Sequence, residues 1–144
     1  MQDEFEIPIR VYHEDTDGGG IVYYANYLRF MERARTEYLR ALGFEQDVLQ
    51  EQHRCMFVVT HVDISYRQPA KFNDALTVSC HLLEQRRASF RVGQEVRNVA
   101  VATSAPGILL TTSTVSLACL NSDTLAPQRI PDALSEALVS RPVK

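Results

Sequence analysis

Residues 14–27, EDTDGGGIVYYANY, concentrate residue types that can act on a carbonyl group. Asp17 supplies a carboxylate just before Gly18, Gly19 and Gly20, and a glycine backbone can approach a ligand closely and adopt positive φ. A helix predicted to begin near Tyr24 would present unpaired N–H groups and a partial positive charge of roughly +0.5. Such an end can hold a carbonyl oxygen that becomes negative in a transition state. The stretch therefore predicts a catalytic loop in which Asp17 reacts.

Other functions of this loop stay open from the residues alone. Asp15 lies two residues before Asp17, and both are also residue types favoured in turns and helix caps. Glycine-rich loops before helices also bind phosphate or merely turn the chain. The sequence contains neither a P-loop pattern nor GxGxxG, which disfavours a nucleotide-binding loop.

One long amphipathic helix is predicted to follow and position the loop. It runs from about Tyr24 to Leu42, and Gly43 is a natural C-terminal stop. Its apolar stripe consists of Tyr27, Met31, Ala34, Tyr38 and Leu42, widened by Leu28, Phe30 and Leu39. A stripe this wide predicts that other elements wrap around much of the helix.

Strand-like alternation precedes and follows this helix. A first strand is predicted around residues 5–11, at an edge or irregular because Pro8 lacks a backbone donor. Four more strands are predicted around residues 58–66, 76–82, 90–96 and 108–120, the last after a Pro106-Gly107 turn. Short helices are predicted near residues 46–52 and after Pro131. This order predicts one α+β domain over residues 1–144, with an antiparallel sheet of about five strands around one long central helix.

Composition narrows the function classes. The 144 residues include 15 basic and 18 acidic residues, a net charge of −3, which argues against a general nucleic-acid binder. Cys55, Cys80 and Cys119 form no disulfide framework or zinc pattern, which fits a reducing compartment, with Cys80 and Cys119 in the core. No apolar run approaches the roughly 20 residues that span a bilayer, and the N-terminal residues are unlike a signal peptide. We therefore expect a cytoplasmic protein.

Two segments resemble the 4-hydroxybenzoyl-CoA thioesterase family, and within it the Tol-Pal-associated acyl-CoA thioesterase branch. The first is RVYHEDTDGGGIVYYANYLRFMERARTEYLRAL, residues 10–42, and the second is DISYRQPAKFNDALTV, residues 63–78. The resemblance covers most of the chain and implies the hotdog fold, in which the sheet wraps around the long helix. It also implies hydrolysis of a short-chain or aromatic acyl-CoA, without a cofactor, by a homodimer or homotetramer.

By that resemblance Asp17 is the catalytic carboxylate, either as a nucleophile on the thioester carbonyl or as a general base on water. The backbone N–H near Tyr24 would polarise the carbonyl, and Gly19 and Gly20 would contact the substrate. Many members of the branch carry His where this sequence has Tyr24. The imidazole is therefore absent, and the Tyr24 side chain would alter substrate choice or assist through its hydroxyl.

Arg86, Arg87 and Ser89 lie at a predicted turn between two strands, where the resemblance implies contacts with the phosphates of CoA. A solvated hairpin turn explains them equally well. Arg67 and Lys71 are weaker candidates for the same contacts.

Three alternatives compete with this interpretation. Glu32 is a rival catalytic carboxylate, because a second hotdog subgroup places its acid on the long helix, although ERAR also fits surface ion pairs. An enoyl-CoA hydratase-type enzyme could use the same fold, but such enzymes usually need a His paired with a carboxylate. A non-catalytic acyl-CoA-binding or scaffold protein would gain nothing from Asp17. No metal site is expected, because the four histidines lack ligand spacing: His13, His53, His61 and His81.

Overall fold

The computed structural model describes residues 4–99 and 107–140, which form six strands and three α-helices. The strands are β1 (Glu6–Arg10), β2 (Cys55–Tyr66), β3 (Ala75–Ser79), β4 (His81–Gln85), β5 (Ser89–Asn98) and β6 (Ile108–Asn121). The helices are α1 (Tyr27–Ala41), α2 (Gln46–His53) and α3 (Asp132–Ser140), so all three predicted helices are confirmed. Pro106 of the predicted turn lies outside the described residues. None of these helices has the length and apolar character needed to cross a bilayer.

The strands form one antiparallel sheet in the order β1-β3-β5-β6-β2, with β4 also paired to β5. It has one strand more than predicted because the run at residues 76–82 divides at Cys80. There the Cys80 amide donates to the Phe5 carbonyl (3.0 Å), and the Ser79 hydroxyl accepts the Glu95 amide (2.9 Å). At the division between β3 and β4, these two hydrogen bonds thus replace regular backbone pairing with the neighbouring strands.

Strand β2 lies at one end of the sheet and contains a bulge at Thr60, where its register against β6 shifts. Val59 is opposite Leu117 and Val62 is opposite Val115. Both β6 residues are buried against the helix side, so Val59 and Val62 share that side. Strict alternation along β2 would place Val58 on the same side as Val62, which is wrong here because the bulge inserts one residue between them.

Helix α1 packs along the sheet and contributes to both buried clusters. Its first half enters one cluster through Tyr27, Phe30, Met31 and Ala34, and its second half enters the other through Tyr38 and Leu39. Leu28 was predicted to widen the stripe but is exposed. The core also contains the three cysteines, all as free thiols: Cys55, Cys80 and Cys119.

Candidate active site

Asp17 lies in a tight turn at the centre of the predicted catalytic loop. The Asp17 amide donates to the Ile21 carbonyl (2.9 Å), and the Gly20 amide donates to the Asp17 carbonyl (3.2 Å). Gly20 has φ +83°, a left-handed conformation that favours glycine. The Asp17 carboxylate is exposed, and its Oδ1 accepts the Gly19 amide at 2.8 Å. Among the described residues Oδ2 has no hydrogen-bond or ion-pair partner, so this oxygen is available to a substrate.

Asp15 makes different contacts from Asp17, although only one residue lies between them. Its side chain is buried, with Oδ2 accepting the Tyr12 amide and Oδ1 accepting the Asn26 Nδ2 group, both at 2.8 Å. Its carbonyl accepts the Tyr23 amide at 3.0 Å. Asp15 therefore ties the segment after β1 to the entrance of α1 and has no oxygen left over for chemistry.

Asp15→Asn is expected to destabilise the fold by about 1–3 kcal/mol, because the new amide NH₂ must face either the Tyr12 N–H or the Asn26 NH₂ and leave a buried donor unpaired. The free energy of unfolding in urea measures this loss. Asp17→Asn is the matched control, since its carboxylate is exposed and Asn still offers an oxygen to Gly19. Equal unfolding midpoints in the two variants would contradict the structural role of Asp15.

The entrance of α1 is a 3-10 turn, Tyr24–Asn26, preceded by Tyr23 in an extended conformation (φ −60°, ψ 132°). The Asn26 amide donates to the Tyr23 carbonyl (2.8 Å), whereas the Tyr24 amide has no acceptor among the described residues. The Tyr24 carbonyl accepts the Tyr66 hydroxyl at 2.8 Å. The Tyr24 N–H is therefore a free donor at the positive end of the helix, close in sequence to Asp17.

A segment around Ala70 fixes the loop against the sheet. The buried Val22 donates its amide to the Ala70 carbonyl (2.8 Å), and the Ala70 amide donates to the Tyr27 hydroxyl (3.0 Å). The Phe72 amide reaches the Gly20 carbonyl at 3.4 Å. Burial raises the pKa of the Tyr27 phenol, so it stays a neutral hydroxyl and keeps this contact at ordinary pH. The loop and the helix entrance are thus held as one unit.

Arg86, Arg87 and Ser89 occupy the hairpin between β4 and β5, as predicted. The Arg86 amide donates to the Ser89 carbonyl (2.8 Å), and the Arg86 guanidinium pairs with Glu84 at 3.3 Å. An open cavity of about 230 Å³ lies beside the hairpin. Its lining includes Thr60, Arg86, Ser89, Arg91 and Ser116. The hairpin is therefore both a turn and the wall of a polar, arginine-rich cavity.

This hairpin is far from Asp17 in the same chain. Ser89 is opposite Ala118 of β6, whereas Tyr66, which contacts the helix entrance, is opposite Thr111. The seven residue-to-residue steps from Thr111 to Ala118 correspond to about 23 Å of strand. One chain alone does not bring the predicted phosphate contacts next to Asp17.

Comparisons with known proteins decide the family. The model of the thioesterase superfamily matches residues 19–105, more than half of the chain. The chain belongs to the thioesterase superfamily. The acyl-CoA thioesterase YbgC of Haemophilus influenzae is 39% identical over 138 residues, covering 95% of this chain and 96% of that protein.

Solved structures agree with this family and with the hotdog fold. A probable thioesterase from Bartonella henselae has a TM-score of 0.80 at 32% identity, over 90% of this chain and 100% of that chain. A 1,4-dihydroxy-2-naphthoyl-CoA thioesterase from Synechocystis has a TM-score of 0.83 at 20% identity, over 96% and 97% of the two chains. The resemblance to the Tol-Pal-associated branch of the 4-hydroxybenzoyl-CoA thioesterase family is confirmed. The protein is a thioester hydrolase.

Of the two weaker candidates for phosphate contacts in this thioesterase, Lys71 lies nearer the catalytic loop. It forms an antiparallel bridge with Ile21. Arg67 follows β2 and donates its backbone amide to the Leu110 carbonyl at 2.7 Å.

Glu32, the rival carboxylate, lies on α1 eight residues after Tyr24, about 12 Å along the helix. Its Oε2 accepts the Thr36 hydroxyl at 3.1 Å, and among the described residues it forms no ion pair with an arginine. Glu32 therefore does not contact the catalytic loop of its own chain.

Two of the four histidines of the thioesterase make local side-chain contacts. His13 stacks on Phe72 with ring centroids 3.8 Å apart, and His81 pairs with Glu4 at 2.8 Å. Within residues 4–99 and 107–140 no group of His, Cys, Asp and Glu side chains is placed to hold a metal ion.

Sequence reasoning missed a second cavity, of about 140 Å³, between α1 and the edge strand β2. Four α1 residues line it at the spacing i, i+3, i+4 and i+7: Glu32, Arg35, Thr36 and Leu39. That spacing marks one flank of a helix, but three of the four residues are polar, which is typical of a solvated face. The cavity exists only in the folded structure, where apolar side chains of the sheet lie opposite these four helix residues.

Proposed function

We propose that this thioesterase hydrolyses the acyl-CoA thioesters of short-chain or aromatic acids, with Asp17 as the catalytic carboxylate. The observation that carries the proposal is a carboxylate with one free oxygen in the loop that leads to a helix entrance, where the Tyr24 amide has no acceptor among the described residues. CoA as the leaving group is supported by the relative in Haemophilus influenzae, which is an acyl-CoA thioesterase.

Asp17 can act in two ways, and both end in the free acid and CoA. As a nucleophile, Oδ2 bonds to the carbonyl carbon, the C–S bond breaks, and the leaving thiolate takes a proton from water. Water then hydrolyses the resulting mixed anhydride. As a general base, Asp17 removes a proton from a water molecule whose oxygen attacks the same carbon. The C–S bond then breaks, and the leaving thiolate takes that proton back from Asp17.

The charge that develops on the carbonyl oxygen is the same in both routes. The Tyr24 N–H and the positive end of α1 would stabilise it, as the donors of an oxyanion hole do. Gly19 and Gly20 would let the thioester approach the loop backbone, because they carry no side chains. The Tyr24 ring, 63% exposed and 6.4 Å from the Tyr66 ring, would border the entrance that the acyl group passes.

Release of free thiol from a panel of acyl-CoAs of varied chain length and aromaticity tests the activity. We expect turnover that is unaffected by EDTA, because the proposal uses neither a metal nor a cofactor. Tight binding without turnover across the whole panel would instead support an acyl-CoA-binding protein. Activity that EDTA abolishes would contradict the proposed chemistry.

The proposal assigns the phosphates of CoA to Arg86, Arg87 and Ser89. Support comes from the cavity beside the hairpin, which Arg86, Ser89 and Arg91 line together with Glu84, the carboxylate that pairs with both arginines. Guanidinium groups suit phosphate because they can donate two parallel hydrogen bonds. The distance from this hairpin to Asp17 in one chain implies that the phosphates and the thioester of one substrate contact different copies.

Arg86→Ala is expected to raise the KM for acyl-CoA by about 10-fold with little change in kcat, because one charge-assisted hydrogen bond to a phosphate is lost. Steady-state kinetics with acyl-CoA and with the matching acyl-pantetheine, which lacks the nucleotide, measure the effect. Arg54→Ala, which removes another exposed arginine, is the control. A similar rise in KM for the acyl-pantetheine would contradict a role in phosphate binding.

A homodimer formed through β2, which could assemble further into a homotetramer, is part of the proposal. Strand β2 is 12 residues long and forms one edge of the sheet, whereas β1 at the other edge has five residues and contains Pro8. Long unpaired edges are templates for pairing with another chain, and proline blocks such pairing.

Light scattering after size exclusion is expected to give at least twice the mass of one chain. The mass should fall towards that of one chain when Val59, on the exposed edge strand, is replaced by Asp. A fully active monomer would contradict the proposed assembly.

The proposal also includes two further points: the chain forms a single thioesterase domain, and the protein is located in the cytoplasm. The free thiols of Cys55, Cys80 and Cys119 fit a reducing compartment.

A further inference from the structure

The cavity between α1 and β2 has the size and the walls of a small-ligand pocket. Its volume is about 140 Å³, and it lies against apolar side chains that include Leu39, Phe57, Phe90 and Leu117. An apolar cavity of about 150 Å³ is large enough to bind benzene. This cavity therefore fits a compact acyl group and is too small for a long fatty chain.

One wall of this cavity carries a positive charge, on Arg35, that forms no ion pair among the described residues. Glu32 lines the same cavity and attracts the Arg35 guanidinium from beyond 4.0 Å. Among the described residues, Arg35 donates one hydrogen bond, from Nη1 to the Gln94 Oε1 atom (3.0 Å), and has no carboxylate within 4.0 Å. Gln94 is 1% exposed, and its Nε2 donates to the carbonyls of Met31 (3.0 Å) and Ser79 (3.2 Å). The Gln94 amide is thus locked with its oxygen towards Arg35.

The guanidinium of Arg35 is held in place with donors to spare. A guanidinium has five N–H donors, and Gln94 takes only one of them in this chain. Burial lowers the pKa of Arg35, which reflects the cost of removing its charge from water. A carboxylate is the group that best offsets such a cost, because it accepts two parallel hydrogen bonds and neutralises the charge.

Pairing of β2 between two copies would bring the catalytic loop of one to the cavity of the other. A two-fold axis perpendicular to the sheet pairs the strands antiparallel and keeps both α1 helices on one face. If the whole of β2 is paired, Tyr66 of the second copy lies opposite Cys55, close to Phe57 in the cavity wall. Because the Tyr66 hydroxyl contacts the Tyr24 carbonyl, the helix entrance of the second copy and its Asp17 come to the cavity mouth.

We propose that this cavity holds the acyl group of the substrate and that Arg35 binds a carboxylate at its far end. The preferred substrates are then CoA monothioesters of small dicarboxylic acids. This inference rests on the proposed function and adds to it the substrate class and a specificity-determining residue. The thioester carbonyl lies towards Asp17 of the second copy, and the carboxylate of the acyl group pairs with Arg35.

A matched pair of thioesters tests the inference. Glutaryl-CoA carries the terminal carboxylate, and hexanoyl-CoA is of similar length without it. We expect the wild-type kcat/KM to be about 10-fold or more higher for glutaryl-CoA, and Arg35→Met to lower it by about 10- to 100-fold for glutaryl-CoA with little change for hexanoyl-CoA. Arg33→Met, an exposed arginine on the same helix, is the control and should keep the wild-type preference.

Two results would overturn the inference. Equal wild-type kcat/KM values for the two thioesters would do so without any variant, even if Arg35→Met failed to fold. An equal loss for both thioesters in Arg35→Met, with a smaller assembly in solution, would mean that Arg35 holds the subunits together instead.

A binding measurement separates failure of this inference from failure of the proposed function. Non-hydrolysable thioether analogues of the two acyl-CoAs can be titrated by calorimetry whether or not the protein turns over. A preference for the carboxylated analogue that disappears in Arg35→Met supports the assignment of Arg35 even in the absence of catalysis. Equal affinities of the wild type for the two analogues contradict it.

Discussion

Asp17→Asn should lower kcat for thioester hydrolysis by about 10³-fold and leave the fold intact. Asparagine keeps an oxygen for the Gly19 amide, which is the one hydrogen bond of the Asp17 side chain among the described residues. It removes the negative charge, so the side chain can neither attack the carbonyl carbon nor take a proton from water. Thiol release at saturating substrate gives kcat, and urea unfolding of the same preparation gives stability.

Two neighbouring carboxylates provide the controls for this result. Glu14→Gln removes an exposed carboxylate three residues earlier and should keep nearly full activity. Glu32→Ala tests the rival acid, which lines the cavity between α1 and β2 and could face the catalytic loop of a second copy. Full activity in Asp17→Ala would exclude Asp17 as the catalytic carboxylate. The same result combined with loss in Glu32→Ala would transfer that role to Glu32.

The sequence predicted best those features that one element encodes by itself. The buried face of α1 follows from the helical period, since Tyr27, Met31 and Tyr38 each point to the same side whatever packs on it. The division of β3 from β4 at Cys80 depends on Phe5, which precedes β1, and on Glu95 of β5. No pattern within residues 76–82 contains that information.

The candidate site shows the same limit. Residue types and spacing indicated a carboxylate before a helix entrance and favoured Asp17, but they could not show what Asp15 and Asp17 each contact. The two aspartates differ in their hydrogen bonds. The Asp15 carboxylate accepts hydrogen bonds from Tyr12 and Asn26 in the folded loop, whereas the Asp17 carboxylate keeps a free oxygen. The role of Arg35 is harder still to predict, because its partner Gln94 lies 59 residues away along the chain.

Tyr24→Pro is the second substitution with a large expected effect. Proline lacks the backbone N–H, so the thioester carbonyl loses the donor assigned to Tyr24, and kcat should fall by about 10²–10³. The fold should tolerate the change, because proline is favoured in the first turn of a helix and the amide lost has no acceptor among the described residues. Tyr23 before it already has the extended backbone (φ −60°, ψ 132°) that a following proline requires.

Tyr24→Ala and Tyr24→Phe isolate the backbone from the side chain. Alanine removes the ring and keeps the N–H, so it should change the preference among acyl groups more than kcat for the best substrate. Phenylalanine removes only the hydroxyl, and a kcat close to wild type is expected because the carbonyl is polarised by the amide. If Tyr24→Ala lost as much activity as Tyr24→Pro while Tyr24→Phe remained active, the ring would be the essential group. The donor to the carbonyl would then have to lie elsewhere in the loop, on Gly19 or Gly20.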